Sequence, residues 1–230
     1  MPKIGMEPRR RAELINATLT CISERGMEGM TLDKVAEYAG CSKGVVVYYF
    51  KNKDELTVEA FKAFMAYYGR KIESEIRPGM AAGEMLDIAL NQLLPPYGER
   101  SGRTINVSEL EGAEQMAIPL EDQARLFVQF FSKAMTDPNL RNVAAGSYPD
   151  NLRGIARIFE YGNRSGQMAV EEPADAAYGM LAMVIGLSFF RVAGVLPADA
   201  EDNRQIGEDY VRRLTQTISG SDRNEEDKRK

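Results

Sequence analysis

The 230-residue chain has no histidine, no tryptophan and only two cysteines. Without histidine, a Ser-His-Asp triad, a histidine general base and a histidine metal site are all excluded. Cys21 and Cys41 are too few for a disulfide framework. Gly-rich phosphate loops, CxxC pairs and the G-x-S-x-G motif are also missing from the sequence. These absences argue against an enzyme, and we expect no catalytic residue, no metal site and no cofactor.

Long hydrophobic stretches are scarce as well. The longest uncharged apolar run covers the 15 residues Ala176–Phe190, between Asp175 and Arg191. A helix needs about 17–25 such residues to cross a bilayer, and no charged-then-apolar leader opens the chain. The sequence therefore predicts a reduced, cytoplasmic protein without a membrane partner, in which Ala176–Phe190 forms a buried helix.

Charge is distributed unevenly along the chain. The net charge is −5, yet residues 1–55 carry nine Lys or Arg and eight Asp or Glu, so this end is slightly basic and the remainder is acidic. Lys3, Arg9, Arg10 and Arg11 all fall within the first eleven residues. The asymmetry indicates either an acidic partner at the N-terminal end or simply the solvated basic start of a helix.

Residues 9–50 are predicted to form three helices. Apolar residues at helical spacing precede Gly26, which ends the first helix. Thr31 is a good N-cap for a short second helix that ends at Gly40, and Ser42 offers the N-cap of the third. Two short helices around a tight glycine turn are typical of a helix-turn-helix, although a plain helical hairpin would share this spacing.

The segment after that turn, CSKGVVVYYFKNKDEL, carries an unusual combination of valines, tyrosines and lysines. If it is a short helix with Val46 in the core, Gly44 and Tyr48 lie opposite, flanked by Val45 and Val47. Glycine lets the backbone approach a duplex, valine can contact a thymine methyl group, and tyrosine and lysine reach phosphates or base edges. The pattern predicts a recognition helix for the major groove of DNA.

A fourth helix is predicted to begin after Asn52. Glu55, three residues later, would complete a capping box, and Lys53 adds a positive charge beside the free N–H groups of the helix N-terminus. Groups suited to bind phosphates therefore flank the predicted recognition helix on both sides.

Taken together, these features resemble a known family. TLDKVAEYAGCSKGVVVYYFKNKDEL is similar to the DNA-binding domain of TetR/AcrR-family transcriptional regulators over residues 9–60, and MPKIGMEPRRRAELINATLTCISERGM resembles the choline-responsive BetI-like subgroup. A weaker resemblance to that subgroup covers much of residues 120–215. The family resemblance implies an all-α protein. It has a helix-turn-helix domain in residues 1–55 (the head) and a larger helical ligand-binding and dimerisation domain in residues 56–220 (the body). The charged residues 221–230 are expected to be a disordered tail.

The resemblance also implies a mechanism, in which a homodimer binds a palindromic operator in double-stranded DNA and a small-molecule inducer releases it. Many family members have a phosphate-binding tyrosine where this chain has Val47; BetI-like members lack it too, and Tyr48 or Tyr49 would replace it. The implied DNA contacts are Thr31, Ser42, Tyr48 and Lys53 to phosphates, and Lys43, Gly44 and Val45 to base edges.

The body is predicted to be helical throughout, with no convincing strand. Pro149 should kink or break the helix that contains it. The segment Ala176–Val195 is apolar on more than one face. With a helix over residues 203–218 it could form a four-helix interface with a second copy, although the central helix of a monomer would look similar.

Aromatic residues and 12 methionines suggest an adaptable ligand pocket in the body. An aromatic cage would suit the choline-like cation that the resemblance implies. The chain lacks tryptophan, however, and a hydrophobic or amphipathic ligand fits as well, while aromatic residues at helical spacing are also common in ordinary cores. The candidate ligand-binding residues are Tyr67, Tyr68, Tyr97, Phe127, Phe130, Phe131 and Tyr161.

Two alternatives to a ligand-released regulator stay open. Cys41 precedes the recognition helix, where the helix N-terminus and Lys43 could lower the pKa of its thiol and make the protein a redox sensor. The other alternative is a helical ligand-binding protein or an enzyme without a DNA role.

Overall fold

The computed structural model describes residues 6–95, 104–105, 118–119, 123–196 and 203–215. Nine α-helices occupy most of these ranges, which confirms the all-α prediction. A two-residue antiparallel pair of strands was not predicted, because so short a segment shows no alternation of side chains. The elements are α1 Met6–Gly29, α2 Leu32–Tyr38, α3 Lys43–Tyr49, α4 Lys53–Glu75, α5 Ala82–Leu93, β1 Thr104–Ile105, β2 Ile118–Pro119, α6 Gln123–Ala134, α7 Pro138–Arg164, α8 Pro173–Val192 and α9 Arg204–Thr215.

The head contains α1, α2 and α3, and its glycines and caps lie where the sequence predicts them. Helical geometry in α1 is interrupted at Gly26, which has a φ of 74° that glycine adopts without steric cost. Thr31 caps α2, since its Oγ1 accepts a hydrogen bond from the backbone N–H of Lys34 at 3.2 Å. Gly40, with a φ of 59°, turns the chain into α3. The helix-turn-helix geometry therefore rests on local signals.

One long helix, α4, joins the head to the body. Asn52 Oδ1 accepts from the N–H of Glu55 at 2.8 Å, and the Glu55 carboxylate accepts from the N–H of Lys51 at 3.0 Å. This is a capping box shifted by one residue, because the glutamate reaches the residue before the cap. Since α4 runs unbroken from Lys53 to Glu75, the predicted boundary between residues 55 and 56 falls within its first turn.

The core of the body is built from aromatic rings on α4 and α6. Phe61 stacks on Phe130 with ring centroids 4.6 Å apart, and Phe64 meets Phe127 edge to face at 5.0 Å. α7 and α8 pack against this pair of helices and against each other. These contacts fix the positions of α4 and α6, which also carry the residues nearest to the head.

α7 runs through Pro149 without a break, so the prediction that this proline could break its helix is wrong. Proline has no N–H, and the carbonyl of residue 145 therefore loses its helical donor, at a cost of about 3 kcal/mol. Packing of α7 against α4, α5, α6 and α8 keeps the helix continuous.

α8 is buried on one face only. By length and composition it could cross a membrane, but it packs against α6, α7 and α9 in the body. Its buried face includes Met180 and Val184, whereas Tyr178, Phe189 and Phe190 are exposed. The prediction of a buried helix therefore holds for only part of its surface.

A buried arginine ties the end of α8 to its neighbours. Arg191 Nε donates to Asn203 Oδ1 at 2.6 Å, and the Arg191 guanidinium also donates to the carbonyl of Pro95. Asn203 in turn donates to the carbonyl of Leu187 at 2.8 Å. This network holds the ends of α5 and α8 at the start of α9.

Candidate DNA-binding surface and ligand cavity

α3 buries one face and presents the other to solvent. Val46 and Phe50 are fully buried, as the sequence predicts for Val46, whereas Tyr48 is 70% exposed and Val47 43%. The predicted contact residues divide accordingly: Ser42, Lys43, Gly44 and Tyr48 are exposed, and Val45 and Tyr49 are half-buried at the edges.

Arg11 holds the C-terminal end of α3. Its guanidinium donates to the carbonyl of Tyr49 at 3.0 Å and lies 4.5 Å from the centroid of the Phe50 ring. A cation at this end of a helix is also favoured by the helix dipole. The sequence showed Arg11 only as part of a basic cluster, because its partners are distant along the chain.

Lys43, the predicted base-contacting lysine, is paired with a carboxylate. Its Nζ lies 2.8 Å from Oδ2 of Asp33 at the start of α2, and both side chains are more than half exposed. Lys43 must therefore exchange this partner before it can contact DNA. The pairing was not predicted, since nothing in the local pattern brings these two residues together.

The residues predicted to contact phosphates differ in whether their side chains already make hydrogen bonds within the protein. The Ser42 side chain makes no capping hydrogen bond, although Ser42 occupies the N-cap position of α3. Thr31 is exposed and caps α2. Lys53 is half-buried, and its Nζ donates to the carbonyl of Met27 at 3.1 Å. Lys53 would have to turn away from this carbonyl to hold a phosphate.

The end of α1 is also attached to the body. The backbone N–H of Met27 donates to Oε1 of Gln129 on α6 at 3.0 Å. Glu28 and Lys133 form an exposed ion pair of 3.4 Å between the same two helices. Together with Lys53, these contacts join α1, α4 and α6 where the head meets the body.

A cavity of about 550 Å³ lies in the body, lined by residues of α4, α5, α6, α7 and α8, within the size range of small-molecule sites. Apolar side chains form much of its wall, and Arg70, Glu73, Asp150 and Arg157 add charged groups. Its apolar walls include Met65, Ile72, Met85, Phe127, Ile158 and Leu181.

Two of the predicted ligand-binding residues, Tyr68 and Phe127, line this cavity, and so does Tyr148, which was not predicted. Phe130 is fully buried against Phe61 and belongs to the core. The remaining predicted residues lie elsewhere: Tyr67, Phe131 and Tyr161 are half-buried away from the cavity wall, and Tyr97 lies outside the described residues.

Tyr68 is the most unusual residue in the cavity. Its side chain is only 2% exposed, and among the described residues its hydroxyl has no hydrogen-bond partner. Burial raises the pKa of Tyr68 well above its usual range, so its hydroxyl stays protonated. The partial burial of Tyr148 likewise raises its pKa to about 12.

The cysteines do not show the signature of a redox sensor. Partial burial raises the pKa of the Cys41 thiol, the opposite of what a reactive thiolate needs. Lys43, which was expected to lower that pKa, is paired with Asp33. Within the described ranges, no three His, Cys, Asp or Glu side chains are grouped so that they could hold a metal ion.

The sequence matches known families over both parts of the chain. Residues 14–60 match the family of bacterial regulatory proteins described as the tetR family, and residues 116–216 match the C-terminal region of BetI-type transcriptional repressors. The HTH-type transcriptional regulator BetI of Klebsiella pneumoniae (strain 342) is 28% identical over 214 residues, which cover 92% of this chain and 97% of that protein.

Solved structures show the same fold. A transcriptional regulator from Saccharomonospora viridis in complex with choline has a TM-score of 0.69 at 16% identity, covering 90% of this chain and 97% of that one. FadR from Bacillus subtilis in complex with stearoyl-CoA has a TM-score of 0.64 at 18% identity, covering 90% and 98%. With a matching head, a matching body and the exposed α3, the chain belongs to the TetR family of helix-turn-helix transcriptional regulators, with a C-terminal region of the BetI type.

Proposed function

We propose that this regulator is a cytoplasmic homodimeric repressor that binds a palindromic operator in double-stranded DNA and is released by a small-molecule inducer. The observation that carries the proposal is the surface of α3. Val46 and Phe50 anchor the helix in the head, while Lys43, Gly44 and Tyr48 face solvent. A helix that is rigidly seated and exposes such a face can enter a major groove.

The residue roles follow from this orientation. Lys43 and Gly44, with Val45 at their edge, approach base edges, and Lys43 leaves Asp33 when it does so. The phosphate contacts are assigned to Thr31, Ser42, Tyr48 and Lys53, with Tyr49 at the margin of the surface.

An exposed apolar face on α8 and α9 supports the homodimer. Tyr178, Phe189 and Phe190 on α8, with Ile206 and Tyr210 on α9, are each more than a third exposed. Covering this face with the same face of a second copy would form a four-helix interface. A two-fold dimer places its recognition helices about 34 Å apart, or a multiple of that, on a palindrome.

The contacts between cavity and head support release by a ligand. α6 carries Phe127 in the cavity wall and Gln129 at the end of α1. α4 carries Tyr68 in the wall and Lys53 at the carbonyl of Met27. A ligand that favours one arrangement of α4 and α6 by about 5 kcal/mol would shift nearly all dimers to a state whose recognition helices no longer match the groove spacing.

The decisive experiment is selection of bound sequences from a random duplex pool at two salt concentrations. We expect a palindrome with two major-groove half-sites. Lys43→Ala should weaken binding and alter base preference, whereas Lys53→Ala should weaken binding evenly and lower the salt slope by about one unit.

Lys71→Ala is the matched control, because Lys71 is on α4 about 27 Å from Lys53 at 1.5 Å per residue and pairs with Glu75. Recovery of no palindrome would refute the site-specific function. A Lys43→Ala protein with unchanged base preference would refute the assigned role of α3.

A further inference from the structure

We propose that Gln129 on α6 lowers the affinity of this regulator for DNA by acting through Lys53. Gln129 holds the backbone of Met27, and the carbonyl of Met27 keeps the Lys53 ammonium away from phosphates. Gln129 is therefore a positioning residue, and the contact between Met27 and Lys53 is autoinhibitory. The inference rests on the proposed DNA-binding function and names one way in which the body regulates it.

Both polar backbone groups of Met27 are bound by side chains from other helices. Its N–H donates to Gln129 Oε1 on α6 at 3.0 Å, and its carbonyl accepts from Lys53 Nζ on α4 at 3.1 Å. Met27 keeps helical backbone angles, so its N–H and its carbonyl have a fixed relative direction. The hydrogen bond from Gln129 therefore also fixes the direction of the carbonyl that binds Lys53.

The interruption of α1 at Gly26 makes this arrangement possible. Gly26 has a φ of 74° and a ψ of 170°, so the N–H of Met27 turns out of line with the preceding helical turns. Gln129 packs over this point, because a Cβ added at Gly26 would lie only 3.5 Å from its Nε2. Met27 is 5% exposed, and a buried N–H needs a partner. Gln129 provides that partner.

The Met27 carbonyl withdraws Lys53 from the surface that α3 presents to DNA. Met27 is buried and Lys53 is half-buried, whereas Lys43 and Tyr48 on α3 are exposed. An ammonium bonded to this carbonyl therefore lies in the junction between head and body. Turning the ammonium toward a phosphate breaks the hydrogen bond, and the loss is greater when Met27 is held firmly.

The position of Gln129 depends on the packing of α6 in the body. Phe127, two residues earlier, lines the cavity, and Phe130, the next residue, stacks on Phe61. A ligand that stabilises this arrangement of α6 would keep Lys53 withdrawn. That effect has the direction that release from the operator requires.

The test is a double-mutant cycle of Gln129→Leu and Lys53→Ala, with DNA affinity measured by fluorescence anisotropy. Gln129→Leu removes the acceptor for the Met27 N–H and should tighten binding to operator and random duplexes alike. The gain should be roughly two- to ten-fold, the equivalent of one hydrogen bond. In the Lys53→Ala background, the same substitution should change the affinity by less than about twofold.

Lys133→Met is the matched control. It removes the exposed ion pair with Glu28 between the same two helices but leaves both hydrogen bonds of Met27 in place. Its effect on affinity should be the same with and without Lys53→Ala. Gln129→Glu keeps an acceptor oxygen for the Met27 N–H and should bind DNA no more tightly than wild type.

Thermal melting checks that each variant is folded, and Gln129→Met replaces Gln129→Leu in the cycle if the leucine variant is not. Unchanged or weaker DNA binding by the leucine variant, an equal gain in the Lys53→Ala background, or an equal gain by Gln129→Glu would overturn the inference. These results, with operator binding by wild type intact, refute the autoinhibitory contact alone. A wild-type protein that binds no operator refutes the proposed function itself.

Discussion

At the scale of single residues, the two lysines assigned to DNA already have partners within the protein. Lys43 pairs with Asp33, and Lys53 donates to the carbonyl of Met27. DNA bound as proposed would compete with these partners for both lysines. The carboxylate of Asp33 matters most, because it stands on the surface that a phosphate backbone would approach and repels it.

We predict that Asp33→Asn increases affinity for DNA of random sequence more than for the operator. The substitution removes a negative charge and frees Lys43 for phosphates, so the gain should be roughly tenfold at low salt and smaller at high salt. Fluorescence anisotropy with an operator duplex and a random duplex measures both affinities.

Glu37→Gln serves as the control for net charge. Glu37 is on the same helix as Asp33 but pairs with Lys34 and not with α3. If both variants raise the affinity for random DNA equally, Asp33 has no specific effect on Lys43.

At the scale of elements, α3 is held at its middle and at its C-terminal end by different means. A buried valine and a buried phenylalanine seat it, while Arg11 binds the carbonyl of Tyr49 at its C-terminus. Valines and a glycine make this short helix intrinsically weak. Its orientation therefore depends on its packing against α2 and on Arg11 from α1.

We predict that Arg11→Lys weakens operator binding severalfold without changing its salt dependence. Lysine keeps the charge but loses the planar contact with Phe50, and the free energy of unfolding should fall by about 1 kcal/mol. Arg11→Gln removes the charge and separates a positioning role from a phosphate contact. The salt slope of this variant should stay unchanged if Arg11 only positions α3, whereas a slope lower by about one unit would show that Arg11 itself binds DNA.

Pro149 is the second element-scale feature, because it removes a hydrogen bond from α7 beside the cavity. Gly146 and Ser147, in the preceding turn, line that cavity. We predict that Pro149→Ala raises the free energy of unfolding by about 1 kcal/mol or more by restoring the helical bond, as measured by urea denaturation.

Pro173→Ala is the control for this substitution, because Pro173 is the first residue of α8, where proline is well tolerated. It should change stability little. If Pro149→Ala is neutral or destabilising, the proline is accommodated without strain and the lost hydrogen bond is replaced by another contact.

At the scale of the whole molecule, the exposed apolar face of α8 and α9 is the proposed dimer interface. Phe189 is 53% exposed on this face. We predict that Phe189→Asp converts the protein to monomers in sedimentation velocity and weakens operator binding by roughly a hundredfold, because a buried unpaired charge opposes the interface and a monomer contacts only one half-site.

Met135→Asp is the matched control, since Met135 is 71% exposed but lies in the turn after α6. It should leave both assembly and operator affinity unchanged. A Phe189→Asp protein that remains a dimer would place the interface on another surface.

The sequence by itself determined the features that depend on neighbours along the chain. Thr31 and Asn52 cap their helices through residues three positions away, Gly40 makes the turn, and Val46 faces the core at helical spacing. These local signals predicted the helix-turn-helix. Together with the family resemblance, they also predicted the all-α fold and the function as a transcriptional regulator.

Only the tertiary structure decided which side chains meet across helices. Arg11 and Tyr49 are 38 residues apart, and Asp33 is paired with Lys43 from another helix. Phe127 and Phe130 share a helix and a residue type, yet one lines the cavity and the other is enclosed in the core. Helical periodicity places a residue on a face, but helix packing determines what that face contacts and where space remains.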